Sequence, residues 1–120
     1  MCFFKKKKKK LEEATVSFCG VQYDLLKSIL ERELAIYEAM EQEERLKSLM
    51  YSVCKEYYMK CLFGAISKNL VVTYTADYSN EMLSLVVLFM TYAEKEKDPT
   101  TKKELYKMAE AIQNCHRELV

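Results

Sequence analysis

With 120 residues, half of them hydrophobic and 31% charged, the chain is long enough for one packed domain with a soluble surface. It has only two glycines and one proline; phosphate-cradling loops lean on several glycines, so Rossmann and P-loop folds are excluded and long helices are expected. The net charge of +1 divides unevenly: six of the 19 basic residues form the run Lys5 to Lys10, leaving 13 against 18 acidic ones, so the body is near −5 and is no basic nucleic-acid platform.

Residues 1–10 read as a disordered basic tail, because adjacent like charges repel and little there can be buried. Residues 11–120 read as a single helical domain. The basic start resembles the n-region of a secretory signal, but Leu11-Glu12-Glu13-Ala14-Thr15 is too polar for the apolar region that should follow. The five cysteines, an odd number with no C-x-x-C spacing, then read as free thiols in a reducing cytoplasm.

The stretch Leu11 to Tyr23 has two readings. Thr15 to Val21 is rich in β-branched residues and suits a short strand, while Leu11, Ala14 and Phe18 are spaced for one helical face. Gly20 breaks either element. From Asp24, a natural helix cap, Leu25, Leu26, Ile29, Leu30, Leu34, Tyr37 and Met40 follow at three- and four-residue steps and make an amphipathic stripe. Glu41 to Arg45 interrupts it, and Leu46, Leu49, Met50, Val53, Tyr57, Cys61, Leu62 and Ala65 resume it.

Read as one helix, residues 24–69 would run roughly 69 Å, against a diameter near ~35 Å for a globule of this length. The helix must therefore break, near Gln42 to Arg45 or at Gly64, or protrude toward a partner chain. Leu70 to Thr75 has strong β propensity and could pair with Thr15 to Val21. A helix over about residues 80–97 follows, with Asp77 and Ser79 as caps. Its run Met82 to Met90 is nine residues with only Ser84 polar, short of the ~20 that span a membrane, so it reads as a core helix. Asp98-Pro99 opens a last helix, with Thr101 and Glu104 at capping-box spacing and Leu105, Met108, Ala109, Ile112 and His116 or Leu119 on one face. The fold expected is mainly α: a small bundle of roughly three to five helices, with room for one long protruding helix and for a minor two-stranded β element.

No catalytic, cofactor or metal set stands out. His116 is the single histidine. Its neighbour Cys115 points about 100° away on a helix, so a Cys–His pair would need Cys19, Cys54 or Cys61 brought in by the fold. Cys54 and Cys61 lie two turns apart with Cα atoms about 10 Å apart, too far for a disulfide or one zinc site, and read as buried structural thiols. The acidic stretch Glu31, Glu33, Glu38, Glu41, Glu43 and Glu44 reads as a solvated face. Nine tyrosines and no tryptophan suit the boundary between a dry core and wet surface, or an interface.

Two surfaces carry the functional expectation. Leu46, Leu49, Met50, Val53, Tyr57 and Tyr58 are the interface candidates of a non-enzymatic, helical protein–protein interaction module. It is expected to self-associate as a homodimer or larger assembly and to bind, regulate or inhibit a larger protein partner. The alternative is a binder of nucleic acid or an anionic membrane surface through Lys5, Lys6, Lys7, Lys8, Lys9 and Lys10, with Phe3 and Phe4 inserting into lipid. Cys2 stands where N-myristoylation takes glycine, which leaves that anchor out.

Overall fold

A computed structural model describes residues 13–75 and 79–119. The order is β1 (Glu13–Cys19), α1 (Val21–Glu38), α2 (Gln42–Lys47), α3 (Leu49–Phe63), β2 (Asn69–Thr75), α4 (Ser79–Lys95) and α5 (Pro99–Leu119). Helices hold 74% of the described residues, and the two strands pair antiparallel as a minor sheet. The mainly α bundle with a small β element is thus the fold. The basic tail and Asp77 lie outside the described residues.

The sheet follows from alternation. Val16 and Phe18 on β1, and Leu70, Val72 and Tyr74 on β2, are buried, while Thr15, Ser17, Val71 and Thr73 face outward. The register joins Glu13 to Thr75 at one end and Cys19 to Asn69 at the other. The first strand lies two residues earlier than the β-branched run suggests. Gly20, at φ 60°, turns the chain out of the strand directly into α1, a conformation that side-chain-bearing residues rarely adopt. Asp24 is therefore not the cap. It lies in the first turn of α1, donates its N–H to the Gly20 carbonyl (3.1 Å) and pairs with Lys68 (3.8 Å).

Residues 24–69 are not one helix. α1 stops at Glu38, where Ala39 and Met40 N–H groups turn back to the Ile36 and Tyr37 carbonyls. Gln42 to Arg45, read as the break, is itself helical. The second break is Ser48, which is extended and whose Oγ accepts from the Tyr51 N–H (3.2 Å) to cap α3. Gly64 ends α3 as the sequence suggests. α1 and α3 consequently fold back as an antiparallel pair. Tyr23 on α1 donates to the Cys61 carbonyl on α3, Tyr58 donates to Glu31 (3.3 Å), and the Tyr37 and Tyr51 rings lie 5.6 Å apart.

α4 and α5 form a second hairpin. Asp98 caps α5, accepting from the N–H and the hydroxyl of Thr101 (3.0 and 2.7 Å), and these bonds hold its carboxyl below the usual range. Glu104 does not complete a capping box. It accepts from Gln22 (3.1 Å) and faces Lys107 (3.7 Å), tying α5 to α1. The core lies where the inner sheet face meets α4 and both hairpins. Phe18, Leu26, Leu30, Cys54, Tyr74, Leu85, Phe89 and Ile112 are among its fully buried members.

Candidate functional site

Apart from the exposed Cys19, the histidine and the described thiols hold structural positions. His116 meets the Tyr74 hydroxyl through Nδ1, with the two rings edge to face at 5.8 Å. Cys54 and Cys61 face the core from α3 and are fully buried. Burial pushes the Cys54 thiol up to about 12 and the Cys61 thiol up to about 11, so neither is a thiolate at neutral pH. Cys115 points at the Thr15 carbonyl (4.0 Å) and is also raised by burial, while Cys19 is exposed at the end of β1. Among the described residues, no three His, Cys, Asp or Glu side chains gather as metal ligands.

The tyrosines divide the surface from the core. Tyr23, Tyr57 and Tyr74 are buried, and each hydroxyl has a partner; that of Tyr57 is the Met82 sulfur at 2.9 Å. Tyr92 is half-buried and donates to Glu33 (2.7 Å), with the Arg32 guanidinium 6.0 Å from its ring centroid. Burial and that carboxylate raise the Tyr92 pKa. Glu31, Glu38, Glu41, Glu43 and Glu44 are exposed, as expected of the acidic stretch, whereas Glu33 is half-buried and departs from the solvated face through its bond to Tyr92. Tyr78 lies outside the described residues.

Among the described residues, a groove of about 660 Å³ lies between the C-terminal half of α1, the start of α3 and the C-terminal half of α4. Its apolar lining comes from Ala35, Ile36, Tyr37, Met50, Val87 and Leu88, and Arg32, Glu33, Thr91, Tyr92 and Lys95 supply the polar side. Ile36 and Val87 are each more than half exposed, and Met40, Leu46 and Leu49 continue the exposed apolar surface at this end of the hairpin. Of the six interface candidates, Met50 lines the groove, and Leu46 and Leu49 are exposed beside it. Tyr58 is not part of the groove lining; it bonds Glu31 (3.3 Å) and, with Leu34, Ala35 and Glu38, lines a separate shallow depression between α1 and α3. Val53 and Tyr57 are 2% and 4% exposed and belong to the chain's own core, so they offer nothing to a partner.

The sequence pattern misses Val87 and Ile36. Val87 sits inside a run that is apolar nearly all round, and only the docking of α4 shows which side is left over. Ile36 is off the α1 stripe. One signal was present: an apolar residue out of phase with its own stripe is unaccounted for by the core.

A second apolar feature stands at the opposite end of the α1–α3 pair. Phe63 is 85% exposed in the last turn of α3, and Ile66 is wholly exposed in the turn that follows. That turn is pinned by backbone bonds: Gly64 N–H to Lys60 O (3.1 Å), Asn69 N–H to Gly64 O (3.4 Å) and Gly20 N–H to Lys68 O (3.2 Å).

The anionic-surface candidates Lys5 to Lys10 lie outside the described residues. Among the described residues, no helix is long and apolar enough to cross a membrane. Compared with known proteins, the chain matches no family model, no curated protein and no solved structure.

Proposed function

We propose that the chain is a non-enzymatic helical interaction module of the cytoplasm that self-associates and binds, regulates or inhibits a larger protein through the groove between α1, α3 and α4. The observation that carries this reading is the groove itself. It is concave, lined mainly by apolar side chains and includes the exposed Ile36 and Val87. Contiguous apolar surface that the core leaves uncovered marks a place for another protein.

Two features support an interaction rather than a reaction. The buried thiols sit as neutral side chains, and the lone histidine is engaged by Tyr74. Of the groove's polar groups, Glu33 and Tyr92 are bonded to each other and the Thr91 hydroxyl donates to the Val87 carbonyl.

Light scattering across a concentration series tests the reading. The chain mass is 14.1 kDa, and at micromolar concentration the expected mass is at least twice that. Ile36→Glu with Val87→Glu should return the mass to that of one chain without loss of helical signal. A wild-type mass that stays at one chain to high concentration would remove self-association from the reading.

A further inference from the structure

We infer that association is head to tail: the Phe63–Ile66 knuckle of one copy enters the α1–α3–α4 groove of the next. This rests on the self-associating reading above and deepens it by naming the occupant of the groove. A second copy is chosen because the same molecule carries a convex apolar feature and a concave one that match. The knuckle presents a phenyl ring and a branched aliphatic chain from a turn held by three backbone hydrogen bonds. Holding such groups in place beforehand removes much of the ordering cost of binding. The groove, at about 660 Å³, falls within the ~300–1,000 Å³ of cavities that enclose groups of this size.

The placement forbids a chain from filling its own groove. Tyr23 pairs with the Cys61 end of the hairpin and Tyr37 with the Tyr51 end. Fourteen residues of α1 separate the two, roughly 21 Å along the helix. The knuckle lies at the first end and the groove at the second. Filling one therefore leaves the other open, which is the geometry of a heterologous contact that closes into a ring or continues as a filament.

Charge is compatible with the same pairing. Residues 59–68 contain Lys60 and Lys68 and no carboxylate. Both ammonium groups stay about half exposed or more beside their neighbours Glu56 and Asp24. At the groove end, residues 31–47 carry six glutamates against Arg32, Arg45 and Lys47. The acidic excess there survives Lys95, the remaining cation of the groove. With Lys60 and Lys68 paired to Glu56 and Asp24, the knuckle end is near neutral and presents cations, not free carboxylates, to the acidic groove end, so no like-charge repulsion opposes the encounter.

The test uses two double variants of the full chain, each altered only at exposed positions. One lacks the knuckle (Phe63→Glu with Ile66→Glu). The other lacks the groove rim (Ile36→Glu with Val87→Glu). Circular dichroism checks the helical signal of each, and serine replaces glutamate at any pair where the signal falls. In sedimentation velocity, the wild type should grow with concentration beyond a dimer. Each variant alone should run as one chain of 14.1 kDa, its association weakened at least about tenfold, as loss of a central anchor weakens an interface. A one-to-one mixture should form a species of two chains and nothing larger, because one intact knuckle meets one intact groove. Association of the knuckle variant at wild-type strength would overturn the head-to-tail contact and leave a groove-to-groove dimer. A mixture that stays monomeric would overturn it equally. A wild type that remains a monomer but sediments with phosphatidylserine vesicles, and stops doing so without Phe63 and Ile66, would overturn both readings in favour of a lipid contact.

Discussion

Phe18 on β1 and Phe89 on α4 meet edge to face, ring centroids 5.9 Å apart, both wholly buried. This pair ties the strand nearest the N-terminus to the most apolar helix and so closes the core between the two hairpins. Phe89→Ala would remove one ring from a site walled by fixed elements. The cost should be about 3–5 kcal/mol, the usual range for an aromatic deleted from a core. Urea denaturation checks this. A midpoint unmoved from wild type would show that the sheet is not part of the core.

Both glycines are needed, for different reasons. Gly20 holds φ 60° in open space, while a Cβ at Gly64 would stand 2.4 Å from the backbone oxygen of Asn69. Gly20→Ala should cost about 1–3 kcal/mol through backbone strain alone. Gly64→Ala should cost about 1–3 kcal/mol through crowding and should also shift the Asn69 end of the β ladder. Amide exchange at Asn69 separates them: faster in Gly64→Ala, unchanged beyond the global loss of stability in Gly20→Ala.

The helical stripes were legible because apolar spacing tracks the buried face: Leu26, Ile29, Leu30, Val53, Cys61, Leu105, Met108 and Ile112 all lie in the core. The ends were less so. The turn at Ala39 to Glu41 contains neither glycine nor proline. It exists because α1 outruns the core it packs on, which leaves Ile36 and Met40 exposed, and only the folded hairpin determines where that happens. Ser48 is a cap of ordinary type hidden inside a continuous stripe. The groove needs α4 docked against α1 and α3, and no local pattern encodes that contact. The knuckle was partly legible, since Gly64 marks the turn, but the stripe treats Leu62 and Ala65 as its apolar members and passes over Phe63 and Ile66.

Alkaline pH should unfold the protein through its buried acids. The folded state raises Cys54 from 9.0 to about 12, chiefly by burial and then by Glu33. It raises Cys61 from 9.0 to about 11, by burial against the opposing influence of Lys27. Tyr57 rises from 10.0 to about 12, by burial and then Glu56. Raised folded-state values mean that the neutral forms are the ones the fold favours. Their contribution is complete below about pH 9 and is lost as pH climbs toward 11–12. The urea midpoint should therefore hold to about pH 8.5 and fall beyond it. Cys54→Ala with Cys61→Ala should flatten that fall; an equally steep fall in this variant would exclude the two thiols as its cause.

Thiol labelling should follow the same geometry. In a Cys2→Ser background, Cys19 is the exposed thiol, while Cys54, Cys61 and Cys115 are buried. A chromogenic disulfide reagent at pH 8 should release one equivalent quickly and three more only on adding denaturant. Rapid release of two or more from the native protein would place Cys115 at the surface.

Any affinity for DNA, RNA or anionic lipid should depend on Lys5 to Lys10. The rest of the chain carries 13 basic and 18 acidic residues, a body that repels phosphates. Binding should weaken steeply with added salt, as counterion release requires. Deleting residues 1–10 should abolish it and leave the helical signal intact. Undiminished binding by the truncated chain would reveal a basic patch on the body.

Leu49 and Val53 lie one turn apart on α3 and should respond in opposite ways to the same change. Leu49 is 47% exposed beside the groove, whereas Val53 is 2% exposed and packs in the core. Leu49→Glu adds a charge that water can solvate, so the fold should keep its urea midpoint within about 0.5 kcal/mol, as most surface changes do. If the groove face binds another chain, the same variant should associate more weakly, because a carboxylate would be desolvated at the contact. Val53→Glu places a carboxylate among buried side chains, none of them charged among the described residues. It should cost several kcal/mol or take up a proton to stay inside. Its helical signal should therefore fall at neutral pH and partly recover in mild acid, where the carboxyl is neutral. A folded, fully helical Val53→Glu at pH 8 that merely fails to self-associate would mean that α3 turns this residue outward, and that the hairpin packs on a different face from the one described.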